Sequence, residues 1–117
     1  DVNVVTGTLK LFLRELVDPV LMCELYGDWV AAGKLQMGPA RCTAVEALLA
    51  RLPQAHLTTL HALVKHLARL AVHSEATKMD PSNLAIVFGP TLVRPKVESM
   101  ETILNTEPQN AVVADLI

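Results

Sequence analysis

Apolar residues recur at three- and four-residue spacing in several separated runs, the period of helices that bury one face. Val5, Leu9, Phe12 and Leu16 form the first such stripe and predict a helix over residues 1–16, with Asp1 or Asn3 available as its cap. Glu24 to Ala32 predicts a second helix, with Leu25, Trp29 and Ala32 inward and Gly33 as its C-cap. Lys34 to Pro39 reads as a loop punctuated by Gly38-Pro39. Ala40 to Leu52 predicts a third helix, with Val45, Leu48, Leu49 and Leu52 inward and Arg41, Glu46 and Arg51 facing water, stopped by Pro53. The longest run, Gln54 to about His73, repeats Leu57, Leu60, Val64, Leu67 and Ala71 at close to the helical period, with Leu63 and Leu70 widening the stripe.

The next helix has the sharpest boundaries. Asp80 can cap free backbone N–H groups, and Pro81 suits the first helical position, where no N–H partner is needed. Gly89-Pro90 predicts its end. Leu84, Val87 and Phe88 share one face, and Asn83 stands beside them at the helix start. A buried amide without a partner costs about a few kcal/mol, so Asn83 needs a role. Two are open: a hydrogen bond tying the helix to a neighbouring loop, or contact with a partner. After Arg94-Pro95-Lys96, Val97 to Leu104 predicts a short helix, and Glu107-Pro108 precedes a last one through Val112, Val113, Leu116 and Ile117. That apolar end reads as a buried edge.

Composition narrows the class. A chain of 117 residues suits one domain. Hydrophobic residues make up 51% of it but only four are aromatic, so the core must come from Leu, Val, Ala and Ile on packed helices: an all-α bundle, with Trp29 as its largest buried surface. The net charge of −2 and the lack of a basic run interleaved with aromatics argue against nucleic acid. No apolar stretch reaches the roughly 18 to 20 residues that span a bilayer, and the first residues lack a signal peptide's charged region. Cys23 and Cys42 are too few for a disulfide framework, and read as reduced thiols in a cytoplasmic protein.

Candidate chemistry is sparse. His56, His61, His66 and His73 lack the four-residue spacing that would put two imidazoles on one zinc, so no metal is expected. There is no glycine-rich phosphate loop, no nucleophile elbow and no paired carboxylates, hence no expected cofactor and no hydrolase site of the chain's own. Lys10 and Arg14 lie four apart on one helical face, where Glu15 cannot neutralise both. They belong either to a solvated face or to a surface that meets something anionic or polar.

Two stretches carry a family resemblance. Lys78 to Arg94, with Asn83-Leu84-Ala85-Ile86-Val87-Phe88-Gly89-Pro90-Thr91-Leu92, resembles the "NLAxVFGPTLxR" signature of RhoGAP domains, the GTPase-activating domains for Rho-family GTPases. Thr8 to Leu16 resembles the family's "LKxFLREL" helix, and Leu52-Pro53, His56, Leu60, Leu63 and His66-Leu67 fit its "LPxxHxxTLxxLxxHL" pattern. Val17 stands where the family usually has proline in "LPEPL", while Asp18-Pro19 keeps the turn that stops the helix.

The resemblance implies a helical bundle of the RhoGAP type, incomplete at its N-terminus. It implies a GTP-bound Rho-family GTPase as partner, with Lys10, Arg14, Asn83 and Pro90 at the interface; in the resemblance Lys10 helps shape the GTPase contact and Arg14 largely holds the loop that presents the catalytic arginine. The family's catalytic arginine, in a loop resembling "GIFRxSG", is expected upstream of Asp1, so no residue of this chain is assigned a catalytic role. Absent helices would leave an apolar patch prone to associate. Residues 77–91 and the Leu52-Pro53-Gln54-Ala55-His56 turn are similar to the Rac-directed activator of the central spindle and residues 1–16 to the chimaerins, which favours Rac or Cdc42. A binding module that keeps the fold without accelerating hydrolysis is the alternative. Recruitment to membrane or cytoskeleton would fall to other domains, and the oligomeric state is open.

Overall fold

Every regular element in the computed structural model, which describes residues 2–117, is helical, and no strand occurs among the described residues. In chain order they are α1 (Val2–Arg14), a 3-10 turn (Cys23–Leu25), α2 (Tyr26–Lys34), α3 (Pro39–Ala50), α4 (Gln54–Ala71), α5 (Ser74–Thr77), α6 (Pro81–Leu92), α7 (Met100–Leu104) and α8 (Thr106–Leu116). This is the all-α bundle expected from the sequence.

Local chemistry explains several boundaries. The Asp80 carboxylate accepts a hydrogen bond from the Asn83 backbone N–H at 2.8 Å, and Pro81 opens α6. A reciprocal capping box between Ser99 and Thr102 starts α7. Pro53 precedes α4, whose buried face carries Leu60, Leu63 and Leu67. Lys78 ends α5 in the left-handed region, at φ 61°.

Helix α6 lies at the centre, packed against α8, α1 and α4, while α2 bridges α8 and α3. The core joins Leu13 of α1, Trp29 of α2, Leu48 of α3, Leu60 and Leu67 of α4, and Leu84, Phe88 and Leu92 of α6. Trp29 is fully buried and its indole N–H donates to the Leu21 carbonyl at 2.9 Å, so the one tryptophan is both core and tether. Val112 and Val113 are buried and Leu116 and Ile117 pack against the core, matching the apolar end of the sequence.

The structure corrects the sequence reading at several points. Helix α1 ends at Arg14 rather than Leu16, and the reading of Asp1 as its cap lies outside the described residues. Gly33 does not cap α2. It sits inside the helix, where an added Cβ would lie 2.0 Å from the Pro108 carbonyl oxygen of α8. Gly89-Pro90 does not end α6, which runs on to Leu92, closed by the Val93 N–H on the Gly89 carbonyl at 3.0 Å. Gly89 is required by close packing: a Cβ there would lie 2.2 Å from Asn110 Oδ1. Pro90 removes the N–H that would bond Ile86, and both residues lie on the exposed side of the helix, where water can serve the freed carbonyl. Arg41 does not face water. It is 7% exposed and paired with Asp115. Among exposed apolar side chains, Val4, Val5, Leu11 and Phe12 cluster on α1, and Val17 follows it fully exposed.

Candidate functional site

The α6 sequence divides cleanly around its axis. At 100° per residue, Asn83, Ile86, Val87 and Pro90 fall within one arc, and all four are exposed. Beyond the first turn, where Pro81 and Ser82 are also exposed, the other side is made by Leu84, Ala85, Phe88, Gly89, Thr91 and Leu92, all buried. The face read from the sequence as Leu84, Val87 and Phe88 is therefore split: Leu84 and Phe88 enter the core, and Val87 stands at its rim. A helix with Asn83 at one end, Pro90 at the other and two branched aliphatics between them presents a mixed polar and apolar strip to solvent.

Helix α1 lies alongside. Lys10, half-buried, shares a cleft of about 370 Å³ with Val87 and Phe88 of α6, His66 and Leu70 of α4, and Met79 ahead of α6. Arg14, one turn on, is exposed. Asn3 and Thr6 line the same cleft near Thr77, and Leu16 beyond the helix meets Arg94 beyond α6, so the two helices run side by side in the same sense. Lys10 is thereby brought beside the rim of the α6 strip. No hydrogen bond joins Lys10 or Arg14 to Asn83, whose side chain bonds Lys78 instead.

Asn83 has a visible role within the fold. Its side-chain N–H donates to the Lys78 carbonyl at 2.8 Å, which ties α6 to the residue that ends α5. The side chain is nonetheless exposed, so it carries no desolvation cost, and its Oδ1 accepts nothing among the described residues. The internal bond occupies one of its donors and leaves an acceptor and a second donor toward solvent.

The sequence reading missed the network that fixes the segment after α1. The Arg94 guanidinium donates through Nη2 to the Leu16 carbonyl. Asp18 Oδ1 accepts from the Cys23 N–H at 2.8 Å, and the Leu21 N–H donates to the Leu92 carbonyl at 3.1 Å. His56 Nδ1, in the tautomer that carries a proton there, donates to the Val20 carbonyl at 3.0 Å. Met22 completes the turn with a positive φ of 66°, a strained setting for a branch-free side chain held by its neighbours. The only sequence signals for this network were the Asp18-Pro19 turn and the position of His56 just inside α4.

Titration is perturbed away from the strip. Burial pushes the Cys23 thiol up, helped by Asp18 beside it, and burial likewise raises the Tyr26 phenol. Among the described residues no three His, Cys, Asp or Glu side chains are grouped to hold a metal ion, and no helix is long and apolar enough to cross a membrane.

Comparison with known proteins bears on the family and the fold. A family model for the RhoGAP domain matches residues 1–97. Rho GTPase-activating protein 10 of Bos taurus is 38% identical over 117 residues, all of this chain and 15% of that protein. Rho GTPase-activating protein 27 of Mus musculus is 42% identical over 113 residues, 97% of this chain and 13% of that protein. The chain thus spans a small part of these relatives. Among solved structures, the BH domain of GRAF, the GTPase regulator associated with focal adhesion kinase, superposes with a TM-score of 0.87 at 34% identity, covering 97% of this chain and 61% of that one. Human Rho GTPase activating protein 15 gives 0.88 at 34% identity, covering 97% and 54%. With its helical bundle, its asparagine-bearing α6 and this match over residues 1–97, the chain belongs to the RhoGAP domain family.

Proposed function

We propose that this domain docks on a GTP-loaded Rho-family GTPase and stimulates GTP hydrolysis when an arginine finger is supplied from outside these 117 residues. The observation that carries the proposal is the shared surface of α1 and α6. Lys10 and Arg14 provide cations on one helix, and the exposed strip from Asn83 to Pro90 provides an amide and apolar contacts on the other. Such a surface suits a protein partner: aliphatic residues lose water at the centre while charges at the edge steer encounter. Rac or Cdc42 is the favoured target, on the similarity of residues 1–16 and 77–91 to Rac-directed members of the family.

The chemistry divides between the partners. The GTPase supplies the nucleotide, the magnesium ion and the attacking water, and an inserted arginine stabilises charge on the transferring phosphoryl group, worth roughly 10³–10⁵ in rate. The residues of this chain bind and orient. Lys10 and Arg14 meet acidic or polar groups of the GTPase, Asn83 offers its free Oδ1 and second N–H, and Pro90 and Val87 exclude water between them.

One observation favours a purely binding role for these residues taken alone. A finger must be exposed on a loop, yet Arg41 is paired with Asp115, Arg51 with Asp28, and Arg94 with the Leu16 carbonyl. Arg14 and Arg69 are exposed but stand in the last turns of α1 and α4. None is presented as an inserted side chain.

The test is single-turnover GTP hydrolysis by Rac, Cdc42 and Rho with the chain in excess, beside a version extended upstream through an arginine-bearing loop. Acceleration by the extended version alone supports the activator reading. Binding to the GTP-loaded GTPase without acceleration by either version supports the binding module. Absence of binding overturns both.

A further inference from the structure

Arg94 lies outside the surface just described, on the segment that follows α6. Its Nη2 donates to the carbonyl of Leu16, 78 positions away in sequence and two residues past the end of α1. We propose that Arg94 is a positioning residue: by holding Leu16 it fixes the end of α1, and with it Lys10 and Arg14, relative to the α6 strip that carries Asn83 and Pro90. The functional part of this inference rests on the proposed docking reading; the mechanical part does not.

Three observations point the same way. First, α1 is weakly held by its own burial: Val4, Val5, Leu11 and Phe12 are exposed, and among the residues of α1 whose burial is described Leu13 alone is fully buried, with Leu9 packed partly buried against the core. A helix with so little buried surface depends on ties at its ends. Second, the segment after α1 has no regular structure until Cys23, so several of its backbone N–H and C=O groups take partners from elsewhere. Leu92 and Arg94 are neighbours on the segment that supplies them: the Leu92 carbonyl receives the Leu21 N–H, and Arg94 serves Leu16. The end of α6 therefore grips both ends of the turn that follows α1. Third, Arg94 Nη1 is buried and makes no hydrogen bond among the described residues. The guanidinium is used through one directed donor rather than as a bidentate fork, so a single well-placed ammonium could replace it in part.

The inference predicts a local effect. Charge-assisted hydrogen bonds stabilise more than neutral ones, enough that losing this one should speed local opening by about tenfold. Amide hydrogen exchange of the whole chain is therefore compared for the parent, Arg94→Ala and Arg94→Lys. In Arg94→Ala, the Glu15, Leu21, Met22 and Cys23 amides should exchange about tenfold faster while those of α3 and α4 keep their protection. Arg94→Lys should restore most of it. A uniform rise across all helices, or no change at residues 15–23, overturns the proposal. Should Arg94→Ala fail to fold, Arg94→Lys and Arg94→Gln carry the comparison, since both retain a donor and most of the packing.

Affinity for GTP-loaded Rac then separates the two parts. If Arg94 acts through α1, Arg94→Ala and Arg14→Ala should be strongly non-additive, the double variant binding about as weakly as the worse single one. Additive losses overturn the positioning role in docking while leaving the exchange result to stand. Absence of binding by the parent overturns the docking reading, and the exchange pattern alone then decides whether Arg94 holds α1.

Discussion

Arg41 and Asp115 meet in a hydrogen-bonded ion pair at 2.5 Å across 74 positions of sequence. The pair links α3 to the last turn of α8, with the arginine side chain 9% exposed and the carboxylate 27%. A pair this enclosed costs most when one member is removed, because the other is left charged and unpaired. Arg41→Ala should destabilise by about 1–3 kcal/mol, discounted from fully buried pairs for the partial exposure of Asp115. Arg41→Met combined with Asp115→Leu should cost less than either single change to alanine. Urea denaturation of the four proteins checks this, and a double variant weaker than both singles would refute it.

The glycines separate three environments. Gly33 faces the Pro108 backbone oxygen at 2.0 Å from a would-be Cβ, which only a backbone shift could relieve. Gly89 faces Asn110 Oδ1 at 2.2 Å, a side chain that can turn aside. Gly7 has nothing within 4 Å and lies inside α1. Gly7→Ala should therefore stabilise by about 0.5–1 kcal/mol through helix propensity. Gly89→Ala should lose about 1 kcal/mol or more and Gly33→Ala still more, since crowding of packed helices costs about 1–3 kcal/mol. Thermal melts should rank Gly7→Ala above the parent, then Gly89→Ala, then Gly33→Ala. Any reversal of the last two would show that Asn110 is held more rigidly than its position suggests.

These contrasts show what the sequence could and could not reveal. Asp80-Pro81 announced the start of α6 because capping is local, decided within three residues. Gly89-Pro90 misled for the opposite reason: its glycine answers to Asn110 of α8, far downstream in sequence, and its proline is tolerated on an exposed face. Arg41 looked solvated because helical periodicity assigns a face but not what covers it, and Asp115 lies too far away to be paired by inspection. The candidate site was legible chiefly through motif resemblance. Periodicity placed Lys10 and Arg14 on one face and Asn83 at a helix start, but only the packing of α1 beside α6 brings Lys10 next to Val87. The Arg94 tether left no local trace.

Asn83 and Asp80 share the start of α6 but should respond differently. Asp80→Ala removes the cap on the Asn83 N–H and should cost about 1 kcal/mol of stability. Asn83→Ala removes an exposed bond to the Lys78 carbonyl, worth about 0.5–1 kcal/mol or less. On the docking reading, Asn83→Ala should weaken binding to the GTP-loaded GTPase by about tenfold or more with the fold intact, as expected for a central interface residue. Asp80→Ala should weaken it less. Calorimetric melts and binding titrations on both variants check the ordering, and a stability loss for Asn83→Ala as large as that for Asp80→Ala would make its role chiefly structural.

The thiols provide a test of burial and of alkaline stability. Cys42 is exposed, whereas Cys23 is half-buried beside Asp18, and burial followed by that carboxylate raises its thiol above the ordinary 9.0. Since the thiolate is the reactive form, iodoacetamide at about pH 8 should modify Cys42 first and Cys23 many-fold more slowly. Tyr26 is raised above its ordinary 10.0, again by burial first. For both groups the neutral form is favoured in the folded chain, so neither affects stability below the unfolded values. As pH rises past 9.0, the unfolded chain releases the Cys23 proton more readily, and past 10.0 the Tyr26 proton, so stability falls progressively until the folded chain ionises too. The melting temperature should be level with respect to these two groups from neutral pH to about 9 and then decline. Cys23→Ser combined with Tyr26→Phe should flatten that decline relative to the parent. An unchanged alkaline slope in the double variant would assign the decline to other groups, and equal alkylation rates at Cys23 and Cys42 would show that the turn after α1 opens readily enough to expose Cys23.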